Sequence, residues 1–527
     1  MCAGPRANDF RFRAIQRATR RLWLRSVGSV LATAQTFTLD GIAARPVRVE
    51  VDVHRGLPVF SVVGLPDAAV REARERVRAA IVNCGFEFPL RRIVVNLAPA
   101  SLRKAGPGMD LAIAMALLIA SEQLDLGGLP SLALVGELAL DGSVSRVPGV
   151  LAIAEAAREL GTEAIVVPVE NGPEAALAGD VDVLCLDSLA RLPALAAGEW
   201  VPERPEPLPL RLGAGPGAPD LADLRGQRHL RHVLEVSAAG GHSLLMVGPP
   251  GAGKSLAASR LPSILPPLAP EEALEVARIA SAGGRLGQGE AGGRPFRAPH
   301  HTVSPAGLVG GGNPPSPGEA TLAHRGVLFL DELCEFRRDT LEALRAPLET
   351  GWVSIARAGS WRRLPCRFML IAAANPCPCG RGEADPECDC APIAVRRYQA
   401  RLSGALADRI DLLAAIRQPT AEELAGPPGE SSAAVRERVS EARQRQERRL
   451  GPGRGNAEMT PAEVRECALE EDAAALLAEA YARRRLSGRA HDRVLRLART
   501  VTDLAGAGAI GREQMAQALQ LRRRDAE

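Results

Sequence analysis

From Gly248 to Ser255 the chain reads Gly-Pro-Pro-Gly-Ala-Gly-Lys-Ser. That fits G-x-x-x-x-G-K-[ST], a loop suited to holding phosphate. Glycines let backbone N–H groups turn inward, and a helix starting behind the loop adds positive potential. Gly248, Pro249, Pro250, Gly251, Ala252 and Gly253 would form the cradle. Lys254 would reach the outer phosphates of ATP, and the Ser255 hydroxyl would hold Mg²⁺. A second stretch, Gly326-Val-Leu-Phe-Leu-Asp-Glu-Leu333, is an apolar run ending in two acids. Asp331 is expected as a further Mg²⁺ ligand, and Glu332 as the group that polarises an attacking water.

Two C-x-C pairs, Cys377 with Cys379 and Cys388 with Cys390, flank a short loop. Their thiolates suit tetrahedral zinc, although paired ligands usually have two or more residues between them, so C-x-C is tighter than the common spacing. Free thiols or partial metal occupancy are the alternatives, since a nucleotide site argues for the reducing cytoplasm, where disulfides are rare. His300 and His301 are adjacent, so their side chains diverge on a strand or a helix and do not make a ligand pair by themselves.

Elements must position these groups. Ser243 to Val247 reads as a short buried strand feeding the loop, and Leu256 to Leu261 as helix behind it. Upstream, residues 29–200 mix strand and helix patterns. Val47 to Val53 alternates apolar and polar, Pro58 to Val63 and Arg92 to Leu97 read as strands, and Asp110 to Ala120 as an apolar helix too short to span a bilayer. Residues 201–219 are a Pro/Gly linker. The nucleotide-binding core is expected at 220–420, with the cysteine knuckle at 377–390. Residues 421–527 turn helical and Arg-rich, as a lid would. Residues 1–28 carry Arg6, Arg11, Arg13, Arg17, Arg20, Arg21 and Arg25 against Asp9. They read as a disordered extension or an over-extended start, with a basic nucleic-acid arm as the other reading.

With 527 residues, 46% of them hydrophobic and 24% charged, the chain is long enough for several globular domains. A net charge of +3 gives no bulk argument for nucleic acid, and 3% aromatics leave few stacking platforms. No apolar run would cross a membrane, and a cytoplasmic location is expected.

Longer strings then carry a resemblance: Val63 to Asp67, Val95 to Ala100, Pro295 to Thr302, Leu308 to Gly312, Asn375 to Gly380 and Asp408 to Asp411. On these, from about Val30 to Arg522, the chain resembles the ComM/YifB family of magnesium-chelatase-like AAA+ ATPases. The resemblance implies an α/β AAA+ P-loop ATPase core with a helical lid, working as a homo-hexameric ring. It implies Asn375 as sensor 1, Arg409 as the arginine finger and Arg489 as sensor 2, with Arg493 and Arg496 close by on the same helix. The preceding α/β domain resembles the Lon protease domain without its catalytic dyad. Ala105 to Asp110 has no serine where Lon carries one, and Val147 to Ile153 lacks the lysine; nucleophilic catalysis needs both. Cys334, and Ala405 to Ala407, depart from the family's usual residues without removing a reactive group. The implied activity is ATP hydrolysis driving a motor on single-stranded or branched DNA, in helicase or branch-migration work. The alternatives are a magnesium-chelatase motor subunit and a protein-remodelling ring.

Overall fold

Val47, Val49, Val51 and Val53 alternate with polar residues, and all four are buried. A strand with that period has one face in a core, and here the strand runs Ala43–His54. The structure, a computed structural model, describes residues 25–26, 29–125, 132–215, 217–287, 292–312, 315–357, 360–382, 385–402, 406, 409–484 and 488–522. The basic extension lies outside these residues except for Arg25–Ser26, and so do Asp408 and Ser487. Two compact units form. One comprises the chain to Pro209 with Ala277–Ala291 and Asn313–Ser316; the other comprises Leu210–Val276, Gly292–Gly312 and Pro317–Glu527.

The first unit is built on β1 (Ser29–Asp40), β2 (Ala43–His54), β3 (Val59–Val63), β4 (Arg92–Ala98), β5 (Leu132–Leu134), β6 (Ala164–Pro168) and β7 (Asp182–Leu186). They order as β7-β6-β5-β1-β2-β4-β3, with Arg25–Ser26 pairing on β1. Antiparallel β1-β2-β4 makes the centre, and parallel pairs flank it. Helix α1 (Ala68–Asn83) starts on Asp67, whose carboxylate accepts from the Val70 N–H. That is an N-cap. Helix α2 (Asp110–Ala120) lies against β1 and β2 with every residue buried. This all-round burial explains why it is apolar on every face.

The second unit holds a parallel sheet of β8 (Leu244–Val247), β9 (Phe296–Arg297), β10 (Val327–Leu330), β11 (Met369–Ala374) and β12 (Leu412–Ala415). Its order is β9-β10-β11-β8-β12. The strands are almost wholly apolar, as buried parallel strands must be. β8 pairs with both β11 and β12, far from it in sequence, so the order switches there. Ligands of open α/β sheets bind beyond the strand C-termini at such a point. Helices α3 (Arg228–Gly240) and α4 (Lys254–Ile264) flank β8, and α5 (Pro392–Leu402) follows the cysteine knuckle. The carboxyl-terminal helices are α6 (Ser432–Leu450), α7 (Glu471–Arg484), α8 (Gly488–Leu504) and α9 (Arg512–Gln520). One apolar core runs from Leu221 through the sheet to Leu521, and α6 and α8 both pack on α3 within it.

Candidate nucleotide site

Register decides what meets at the C-terminal edge of the second sheet. Val247 stands opposite both Ala374 and Ala415, so three strands end level. Leu330 pairs with Ala372, which brings Asp331 and Glu332 out at the same edge. The loop Gly248–Ser255 therefore opens beside both acids and Asn375. Gly251 and Gly253 adopt left-handed torsions of +75° and +87°, which glycine accepts without strain. Gly248 is required by space: a Cβ there would stand 2.2 Å from the Ile416 carbonyl oxygen.

Lys254 is buried. Its Nζ donates to the carbonyls of Gly248 and, at 3.0 Å, Pro249, and to Asn375 Oδ1 at 3.1 Å. Burial lowers its pKa, and Asp331 and Glu332 partly offset this. A cation held by neutral oxygens is poised to exchange them for phosphate oxygens. The Ser255 hydroxyl donates to Asp331 Oδ2 at 2.6 Å. A hydroxyl and a carboxylate side by side fit Mg²⁺, which takes hard oxygens and usually one or two carboxylates beside phosphate. Glu332, at a left-handed φ of 51°, presents a side chain that is 58% exposed.

Two glutamines that the sequence reading did not single out hold the loop. Gln227 Nε2 donates to the Ala252 carbonyl at 2.7 Å, and Gln418 Nε2 to the Pro250 carbonyl at 2.8 Å. Neither sits in a recognisable string, so only the fold reveals them. A cavity of about 950 Å³ opens next to Gln227, lined also by Ile416 and Arg417. That volume is ample for a nucleoside.

The thiols of Cys377, Cys379, Cys388 and Cys390 lie within 4.8 Å of one another. Cys377 Sγ is 3.3 Å from Cys379 Sγ and 3.8 Å from Cys388 Sγ. Ligands about 2.3 Å from a tetrahedral zinc stand about 3.8 Å apart, so the set fits that ion. The Gly382 N–H points at Cys377 Sγ from 3.2 Å. The Arg381 N–H, then the Cys377 thiol, draws Cys379 down to about 7. The knuckle also touches the phosphate loop: a Cβ on Gly380 would stand 2.9 Å from Pro250.

Arg409 and Arg489 do not join this group. The Ser243 hydroxyl donates to the Arg409 carbonyl at 2.9 Å, which puts Arg409 at the entry of β8. The phosphate loop leaves the other end of that strand, about 16 Å away at strand rise. Arg409 bonds to Glu349 and lines a cavity of about 720 Å³. Arg294, Arg325, Arg367, Arg443, Arg454, Arg489, Arg493 and Arg496 line it too, against the acids Glu349, Asp411 and Glu458. Burial, then the neighbouring Arg443, pulls Arg294 down to about 10. Asp411 ties this cavity to β8 by accepting from the Ser243 N–H at 3.2 Å, and it lies 3.6 Å from Arg493 and from the buried His242 ring. Burial raises the Asp411 carboxyl; His242, Arg493 and the Ser243 N–H outweigh that and hold it below the usual range.

Residues 220–424 match the family described as magnesium chelatase, subunit ChlI. Residues 49–171 match subunit ChlI of Mg-chelatase, and 429–522 match the ChlI C-terminal family. YifB of Salmonella typhimurium, which carries the description uncharacterized, is 44% identical over 496 residues, covering 93% of this chain and 97% of that one. Competence protein ComM of Haemophilus influenzae is 41% identical over 501 residues, covering 92% and 95%. The chain belongs to the ComM/YifB family of magnesium-chelatase-like proteins. The mixed α/β architecture with its parallel-sheet core agrees with the AAA+ type of that family. YifB of Escherichia coli, at 43% over 496 residues, shows the same near-full-length likeness. Among the described residues no helix is long and apolar enough to cross a membrane.

Proposed function

We propose that this ComM/YifB-family protein is an ATP-hydrolysing AAA+ ring motor acting on DNA. The observation that carries the reading is the meeting of Lys254 with Asn375 and of Ser255 with Asp331 beside Glu332. Ser255 and Asp331 would hold Mg²⁺, which when bound would supply positive charge to offset that developing on the transferred phosphoryl group. Lys254 grips the outer phosphates, Ser255 and Asp331 hold the ion, Asn375 orients the lytic water and Glu332 polarises it.

The placement of Arg409 supports a ring. At the entry end of β8 it cannot reach the nucleotide of its own chain, so it serves the site of a neighbour, with Arg489 on the same cavity wall as sensor 2. A cation there stabilises the transferring phosphoryl group. We assign a homo-hexamer, residues 29–200 as a Lon-like domain without protease chemistry, 201–219 as linker, 220–420 as ATPase core and 421–527 as helical lid. Structural zinc sits in the cysteine knuckle, and the protein works in the cytoplasm. DNA as the substrate is supported by the Haemophilus relative's name as a competence protein.

A second reading, a magnesium-chelatase motor subunit, is favoured by the names of the matching families. Steady-state ATPase assays with and without forked DNA separate the two. Stimulation by forked DNA that is abolished in Lys254→Ala and Glu332→Gln supports the DNA motor. ATPase activity indifferent to every DNA form would sink it, and full turnover in Glu332→Gln would remove Glu332 from its role.

A further inference from the structure

Histidine 301 lies outside the groups assigned so far. The parallel pairing of β9 with β10 sets Phe296 opposite Val327 and Arg297 opposite Leu328. His301 follows four residues later, in a turn beyond the end of β9, and Glu332 lies two residues beyond the end of β10. The side chains do meet there: His301 Nδ1 is 3.7 Å from Glu332 Oε2. The imidazole is held on two other sides. Its ring centroid lies 4.0 Å from that of His300 and 6.4 Å, edge-on, from that of Phe336. His300 is itself anchored, Nδ1 to the Thr302 hydroxyl at 2.9 Å.

Glu332 has the opposite character. Its backbone is left-handed, and its side chain is more than half exposed. A water-polarising carboxylate in that setting gains little orientation from packing, yet it must present one oxygen to a single water. A misplacement of about 1 Å in such a group costs about 10²-fold in rate.

We propose that His301 is a positioning residue for Glu332, with imidazole Nδ1–H fixing one carboxylate oxygen so that the other faces the lytic water. At 3.7 Å the contact is longer than a hydrogen bond. Hydrogen bonds to a catalytic group tighten in the substrate complex, and the proposal places this one there. The inference rests on Glu332 as the water-polarising group and adds the residue that aims it.

The test uses the full chain with four substitutions: Glu332→Gln, His301→Ala, His301→Leu and His301→Asn. Leu fills the space against Phe336 without a donor, and keeps the test valid should Ala disturb folding. The Asn amide nitrogen takes the place of Nδ1. Turnover, KM for ATP, and binding of a fluorescent ATP analogue are measured for each. Ala and Leu are expected to lower kcat about 10- to 100-fold with KM and binding within about twofold, and Asn to recover most of the loss. Unchanged or raised kcat in both His301→Ala and His301→Leu overturns the proposal. So does a rise in KM at constant kcat, or an Asn variant no better than Leu. Near-normal turnover in Glu332→Gln would instead strike the assignment of Glu332, so the two failures are distinguishable.

Discussion

Replacing Gly248 by alanine isolates the geometry of the phosphate loop from its chemistry. The torsion at Gly248 is one that alanine can adopt, so only space forbids the methyl group. The new Cβ would stand 2.2 Å from the Ile416 carbonyl oxygen and 3.1 Å from its carbon. Carbon and oxygen normally approach no closer than about 3.3 Å, so about 1 Å must be found. The backbone cannot yield it freely. The Gly248 N–H donates to Ala374 at 3.2 Å, and the Ile416 N–H donates to Val247 at 2.7 Å, so either displacement disturbs a sheet bond. Overpacking of this kind costs about 1–3 kcal/mol, which in a unit of this size lowers Tm by about 2–5 °C. A loop displaced by about 1 Å should lose about 10²-fold in kcat/KM. The control is Gly251→Ala, where the nearest atom, Gln418 Nε2, is 3.7 Å away and the cost comes from the left-handed torsion alone, about 1–2 kcal/mol. Thermal melts, analogue binding and turnover report on both variants. The argument fails if Gly248→Ala binds ATP within twofold of the parent at unchanged Tm, or if Gly251→Ala loses more ATP binding and turnover than Gly248→Ala.

Two more outcomes are expected. Elemental analysis should find one zinc per chain, lost in Cys388→Ser with Cys390→Ser; ATP binding should weaken with it, because Gly380 rests on Pro250 and Cys377 lies two residues beyond Asn375. Zinc-free parent protein, or a zinc-free variant that binds ATP normally, would refute this. Arg409→Ala should be nearly inactive alone and regain turnover when mixed with Lys254→Ala, since one interface can then combine an intact loop with an intact arginine; no recovery at any ratio, with subunit exchange demonstrated, counts against Arg409 acting in trans.

Legibility from sequence followed locality. The phosphate loop and the Asp331–Glu332 pair are contiguous strings whose chemistry is carried by spacing, and the strands before them read directly as apolar runs. The alternating valines of β2 and the uniformly apolar α2 were likewise visible, with α2 running from Asp110 to Ala120 as its pattern indicated. What escaped depends on strand order and register. That Arg409 stands at the far end of β8 follows only once β12 is known to pair beside β8. His301 approaches Glu332 from a turn beyond a two-residue strand too short to leave a periodic signal. Gln227 and Gln418 reach the loop from segments nearly two hundred residues apart in the chain, so no local pattern announces them.

The single core of the second unit bears on how the proposed motor would transmit force. Val435, Val439, Val494, Leu495 and Leu497 of α6 and α8 are buried in the same apolar mass as β8 and the loop-bearing α4. Prising these helices off would expose side chains worth about 1.5–3 kcal/mol each, a sum comparable to the whole stability of a domain. A wide swing about a hinge at that seam is therefore closed to the protein. In the proposed motor, events at the phosphate loop would travel instead as small slides between packed helices, through Asp411 and Ser243 to the arginines at the far end of β8. In the proposed ring the stroke would then be generated where one rigid wedge meets the next, with an amplitude set by the fit of neighbours rather than by flexing within a chain.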